Sequence, residues 1–235
     1  LIGTFLSPAK LYKPLMLTLP SSDEDLYTTI LLPDGDPLHK KIAQRELALG
    51  WTSMNQGRSS LFMIGLGSDS HLETLDAIAA LNRGKLSYSP TKGGIRRKLL
   101  KLMKTISHPI AKNISTQIVQ IHSESSNQSK GSILYPLPHQ APHLYKQEPY
   151  TIFGTTKTLE PFVLFVQGKA KDKWIHIKKS ISFANAKKGS SSLKAQWALQ
   201  QAYQIYEQYL YDQNPEHLVH VGNLLEPHNL RIAFQ

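Results

Sequence analysis

Two short apolar runs, each followed by a helical pattern, limit this chain more than any other feature. "LYTTILL" (26–32) and "SSLFMIGLG" (59–67) are β-branched or apolar almost throughout. Such runs suit strands buried on both faces, which is the situation of a parallel sheet. Between them, "PDGDP" is turn chemistry and residues 38–49 read as a helix, with Leu38, Ile42, Leu47 and Leu49 on its apolar side and Gly50 as its stop. The second run is followed by "SDSHLETLDAIAALNRG" (68–84), where Ser70 and Glu73 form a capping box and Leu72, Leu75, Ile78, Ala79 and Leu81 face inward. "KLSYS" (85–89) then reads as a third strand. Strand, helix, strand, helix, strand in that order implies a parallel α/β sheet with right-handed crossovers. An earlier helix start is read at Ser7-Pro8, with Leu11, Leu15 and Met16 as its apolar positions.

The texture changes after Pro90. "GIRRKLLKLMKTI" (94–106) is amphipathic, with Ile95, Leu99, Leu102, Met103 and Ile106 on one side and Arg96, Arg97, Lys98, Lys101 and Lys104 on the other. A helix of this kind can lie on a membrane, but more commonly it closes a domain and keeps its charges in water. Beyond it the helical period is lost. "STQIVQIHS", "YTIFGTT", "FVLFVQG" and "WIHIKKSISF" are β-type runs separated by Gly, Pro, Ser and Asn, the pattern of an antiparallel sheet or sandwich. A long helix is predicted over 191–211, and the tail (215–235), with "HLVHV" and "LRIAF", reads as carrying a final strand. The expected fold is thus α/β. A partial, doubly wound parallel sheet (1–107) precedes a β-rich, sandwich-like region with a long C-terminal helix (108–235).

Composition excludes some chemistry. The chain has no cysteine, so disulfides, thiolate metal sites and cysteine nucleophiles are absent. No apolar run approaches the roughly 20 residues that span a bilayer. The net charge of +10 is uneven. Residues 1–89 hold 8 Lys+Arg and 9 Asp+Glu, for −1, and residues 90–235 hold 19 and 8, for +11. A basic second half can favour nucleic acid, anionic lipid or an acidic partner. The lysines are scattered and only partly clustered, which favours a solvated surface.

Thr4 and Asp34 sit on turn dipeptides, Gly3-Thr4 and Asp34-Gly35, and Asp34 follows a buried strand. Hydroxyl and carboxylate oxygens suit a hard cation, and the carboxyl ends of strands are where open α/β sheets bind ligands. "IGTFLSPA", then "TTILLPDGDP", then "SLFMIGLGSDSHLETLDAIAALNRGKLSYSP" resembles the second half of a von Willebrand factor type A domain. The resemblance covers 1–89. It implies that Thr4 and Asp34 belong to a metal-ion-dependent adhesion site for Mg²⁺, or Mn²⁺ or Ca²⁺, with Gly3, Gly35 and Asp36 beside it. It also implies a partner whose acidic residue completes the metal's coordination. The family's D-x-S-x-S loop is missing, and Pro33 stands where Thr is usual. The chain therefore reads as a fragment or a degenerate domain that binds metal weakly or not at all by itself. More faintly, residues 106–211, with Leu144, Tyr145 and Gly154, resemble the region after the A domain in inter-alpha-trypsin-inhibitor heavy-chain-like proteins. These resemblances lean toward an extracellular or cell-envelope setting.

Other constellations fail on geometry. His139 and His143 have zinc-like spacing, but Pro142 opposes the helix they would need. "GLGSDS" lacks the third glycine of a dinucleotide loop, and no nucleophile elbow is present. The expectation is a non-enzymatic protein–protein interaction or adhesion module. Its partner is expected to be a protein rather than nucleic acid or a membrane. The alternative is nucleic-acid or anionic-surface binding by the basic second half. With the family's first strands lacking, the outer edge of the 26–32 strand is open, and it is expected to be covered by homo-oligomerisation, by a borrowed strand or by a segment of the chain itself, with aggregation as the result otherwise.

Overall fold

The computed structural model describes residues 26–32, 41–67, 72–120, 133–134, 143–156, 159–171, 173–228 and 230. The first half is the expected alternation: β1 (Tyr27–Leu31), α1 (Lys41–Asn55), β2 (Ser59–Leu66), α2 (Leu72–Leu81), β3 (Leu86–Ser89) and α3 (Lys92–Ile106). The strands lie in the order β1-β2-β3, all parallel. Residues along β2 alternate between two apolar layers, as the pleat requires. Leu61 and Met63 pack with Ala48 and Trp51 of α1 and with Leu75 and Ile78 of α2. Phe62 and Ile64 face the other way, onto Leu99, Leu102 and Ile106 of α3. Both sides of the sheet are therefore covered, which is why its strands need apolar residues at consecutive positions.

α1 does not stop at Gly50. Beyond it, Trp51, Thr52 and Asn55 are buried, and that burial outweighs the roughly 1 kcal/mol a mid-helix glycine costs. The helix ends instead at Gln56 and Gly57, whose φ values of 47° and 73° are left-handed. Asn55 then does the work of a clamp. Its side-chain amide donates to the Ser59 carbonyl (2.7 Å) and to Oδ1 of Asn82 (3.1 Å), and its Oδ1 accepts from the Ser59 amide (2.8 Å). Asn82 in turn donates to Thr52 Oγ1 and to the Ile78 carbonyl, both at 2.9 Å. The ends of α1 and α2 are thus tied to the start of β2 by buried polar groups that all find partners. Gly84 is required there as well: a Cβ on it would lie 1.8 Å from the Leu61 carbonyl oxygen.

The second half contains β4 (Pro109–Gln120), β5 (Ile133–Leu134), β6 (Leu144–Tyr145), β7 (Thr155–Thr156), β8 (Phe162–Ala170) and β9 (Lys173–Ile181). Among the described residues these make one antiparallel sheet, β6-β4-β8-β9, and a two-stranded β5-β7 ladder. One face of the sheet packs Ile114, Val166, Ala170 and Ile175 against Leu144 and Tyr150. Ile114 lies so close over Gly168 that a Cβ there would meet its Cδ1 at 2.5 Å. Tyr145 bridges to the first sheet, edge-on to Phe62 at 6.1 Å.

The long helix α4 (Ser191–Asp212) is present, but the "HLVHV" part of the expected final strand is a helix, α5 (Pro215–Leu225), followed by a 3-10 turn (Glu226–His228), and residues 231–234 of "LRIAF" lie outside the described residues. The apolar-polar alternation of "HLVHV" suggested the wrong period. The local chemistry is that of a helix start: Asn214 caps, its side chain accepting from the Glu216 amide at 3.0 Å, and Pro215 fills the first turn. Ala198 and Ala202, four residues apart and fully buried, let α5 approach with Val221 and Leu225. α4 packs on the helices of the first half. Tyr203, Tyr206 and Tyr209 lie on the α1 and α2 layer, and the Tyr203 hydroxyl donates to Asp76 Oδ2 of α2.

Candidate functional site

Three places could carry function: the strand ends of the parallel sheet, the outer face of α3, and the open face of the antiparallel sheet. At the first, all three strands point their carboxyl ends the same way. β1 ends at Leu31 beside Met63, and Leu66 of β2 lies beside Ser89 of β3. Gly67, with φ of 80°, donates its amide to the Ser89 carbonyl at 3.2 Å, closing the rim. The Ser89 hydroxyl donates to the Thr91 carbonyl at 2.8 Å at the start of α3. Thr4, Asp34, Gly3, Gly35 and Asp36 lie outside the described residues. Leu32, two positions before Asp34, is exposed at the end of β1. Among the described residues no group of three or more His, Asp or Glu could hold a metal ion.

α3 divides nearly as its sequence suggests. Leu99, Leu102 and Ile106 face the sheet, while Arg96, Arg97, Lys101 and Lys104 are exposed. Two positions differ from the expectation. Met103 points to solvent, because 99, 102 and 106 already fill the contact stripe and 103 falls to its side. Lys98 is half-buried, beside that stripe rather than opposite it. Leu100 is 60% exposed among the charges. Among the described residues no helix is long and apolar enough to cross a membrane.

His143 is buried at the junction of the two sheets. Its Nδ1 accepts from the Asn113 amide at 3.4 Å. Burial, and then the positive charges of Arg83 and Lys112, hold its pKa down to about 3, so the imidazole is neutral at ordinary pH. His139 lies outside the described residues. Tyr145, in the same region, has its hydroxyl pKa raised by burial, against the opposing pull of the Thr28 and Ser60 hydroxyls. Both groups are buried and pack the junction.

The sequence alone does not single out the third place as a site. Pairing of β8 with β9 puts Phe165 opposite Lys178, Gln167 opposite His176 and Lys169 opposite Trp174. Paired residues share a face, so these six lie together on the side of the sheet opposite the Ile114–Tyr150 layer. Trp174 is 56% exposed and Phe165 36%. The Trp174 and His176 rings stack at 6.5 Å with 27° between their planes, and Lys178 Nζ stands 5.5 Å from the Phe165 ring centroid. A period-2 alternation of ring, ring and lysine in "WIHIK" was the available signal. Only the strand pairing shows that Phe165 and Lys169 join it.

No protein-family model matches the chain, and no curated protein sequence does. Among solved structures, it is similar to the ArnB paralog VWA2 from Sulfolobus acidocaldarius, at 18% identity and a TM-score of 0.38. That alignment covers 85% of this chain and 54% of the other, so the chain spans about half the length of the structure it matches.

Proposed function

We propose that the chain is a non-enzymatic interaction module of the von Willebrand factor A type, whose partner protein docks on the loops at the carboxyl ends of β1, β2 and β3. The observation that carries this reading is the parallel β1-β2-β3 sheet with α1 and α2 on one face and α3 on the other. It agrees with the parallel strand–helix alternation expected from the sequence of 26–89, and it makes the strand-end rim the natural docking edge. Thr4 and Asp34 would supply a hydroxyl and a carboxylate to Mg²⁺. The two donors fit a hard cation in kind and fall short of its usual six oxygens in number. The metal, once other ligands are supplied, would offer a coordination position to an acidic residue of the partner. The same reading makes the outer edge of β1, which pairs with no strand among the described residues, a place for a second copy to add.

Capture of partners from the native cell tests the reading. A partner retained in Mg²⁺, released by chelator and lost with Asp34→Ala is the expected result. A partner that ignores the chelator and is released steeply by salt would overturn it in favour of charge-driven binding by the second half.

A further inference from the structure

We propose that the open face of the β4-β8-β9 sheet binds single-stranded nucleic acid, with Trp174, His176 and Phe165 as stacking surfaces and Lys169 and Lys178 as phosphate contacts. The surface lies on a different sheet from the strand-end rim, and the proposal stands apart from the function proposed there.

The two faces of this sheet differ in kind. One packs Ile114, Val166, Ala170 and Ile175 with Leu144 and Tyr150 and, of its apolar side chains, leaves only Ile177 half-exposed toward the β9 edge. The other buries Val163 at one end but leaves aromatic rings in water along the rest, although the register would allow them to be polar residues like Gln117 and Gln167 beside them. Its charge has one sign. None of β4, β8 and β9 contains Asp or Glu, and residues 162–190 hold seven lysines against the single acidic Asp172.

Lysines on an edge strand have an ordinary role: they discourage pairing with other strands. That role accounts for Lys173 and Lys179 but gives no reason for exposed Trp174 and Phe165. An acidic protein segment would satisfy the lysines and leave the flat rings unused. A strand with free bases uses both, since every base offers a π-face to a ring while its phosphates reach the ammonium groups. Successive bases have a prepared geometry in Trp174 and His176, two residues apart on one strand with nearly parallel rings. A duplex hides its base faces and would meet the lysines only.

Fluorescence anisotropy of a labelled oligothymidylate with the full chain tests this, with the matched duplex, polyglutamate and phosphatidylserine vesicles as competitors. Binding of the single strand is expected, with competition by the duplex, polyglutamate and vesicles all weaker. The log–log salt slope is expected near −0.7 per phosphate neutralised, or about −1.4 for two lysines. Trp174→Ala should weaken binding roughly 5- to 150-fold, the range for one lost stacking contact. Lys178→Glu should weaken it and flatten the salt slope. Both positions are exposed, and circular dichroism with a denaturation midpoint confirms that each variant folds. No binding at low salt, or equal competition by duplex, polyglutamate or vesicles, would overturn the proposal. So would a folded Trp174→Ala chain that binds as the parent does.

Discussion

β2 and β9 are strands of nearly equal length, eight residues and nine, set in opposite circumstances. Seven of the eight residues of β2 are buried, whereas β9 has none. β2 is the central strand of a parallel sheet with helices on both sides, so both of its side-chain rows must be apolar. β9 is the edge of an antiparallel sheet with one covered face, and its rows are mixed. Burial on two sides turns sequence into packing, while an edge strand with an open face is free to carry rings and lysines for something else. Stability should reside in the two-sided packing around β2, and β9 should contribute little to it.

Paired truncations would break this comparison if it is wrong. Leu61→Ala, in the fully buried layer between β2, α1 and α2, should cost about 2 to 5 kcal/mol. Ile177→Ala on half-exposed β9 should cost about 0.5 kcal/mol or less. Chemical denaturation measures both. Similar losses would mean that β9 is covered and as much a part of the core as β2.

The junction between the regions should show in the pH dependence. His143 binds a proton near pH 6.5 in an unfolded chain and only near 3 in the fold. Its folded pKa is depressed, so stability is full above 6.5 and falls as pH drops toward 3. The slope from this one group is at most about 1.4 kcal/mol per pH unit. His143→Gln should remove that part of the slope, and denaturation midpoints across this window compare the two chains. An unchanged slope would place the titrating group elsewhere.

A smaller effect tests the seam between α4 and the first region. Tyr203→Phe deletes the hydroxyl that donates to Asp76, a half-buried bond worth about 1 kcal/mol. Desolvation, with the Asp76 carboxylate beside it, raises the Tyr203 pKa. The tyrosine therefore stays protonated and donating through neutral and mildly alkaline pH. A variant as stable as the parent would show that α4 is held by its apolar contacts alone.

The parts of this fold legible in the sequence are those where periodicity and burial agree. The SSLFMIGL strand, the helix from Leu72 and the stripe Leu99, Leu102, Ile106 all follow from which residues must leave water. α1 was cut short at Gly50 because helix propensity is local, while the burial of Trp51 and Asn55 is tertiary. Five residues of alternation in α5 mimic a strand, although Asn214-Pro215 is a helix start signal. The return of α4 to the α1-α2 layer had no sequence sign, since tyrosines serve equally at a core or a rim. Of the candidate sites, the strand-end residues were suggested by a motif, whereas the β8-β9 face needed the strand register. Phe165 and Trp174 are nine positions apart in sequence, and only antiparallel pairing brings them to one surface.

Amide hydrogen exchange, followed strand by strand, tests the division of labour most directly. The account predicts that the amides of Leu61, Phe62, Met63 and Ile64 exchange most slowly, through global unfolding alone. Those of β9 should exchange much faster in the free chain and slow when oligothymidylate is added. Equal protection of β2 and β9 in the free chain, with no change on adding the oligonucleotide, would contradict it.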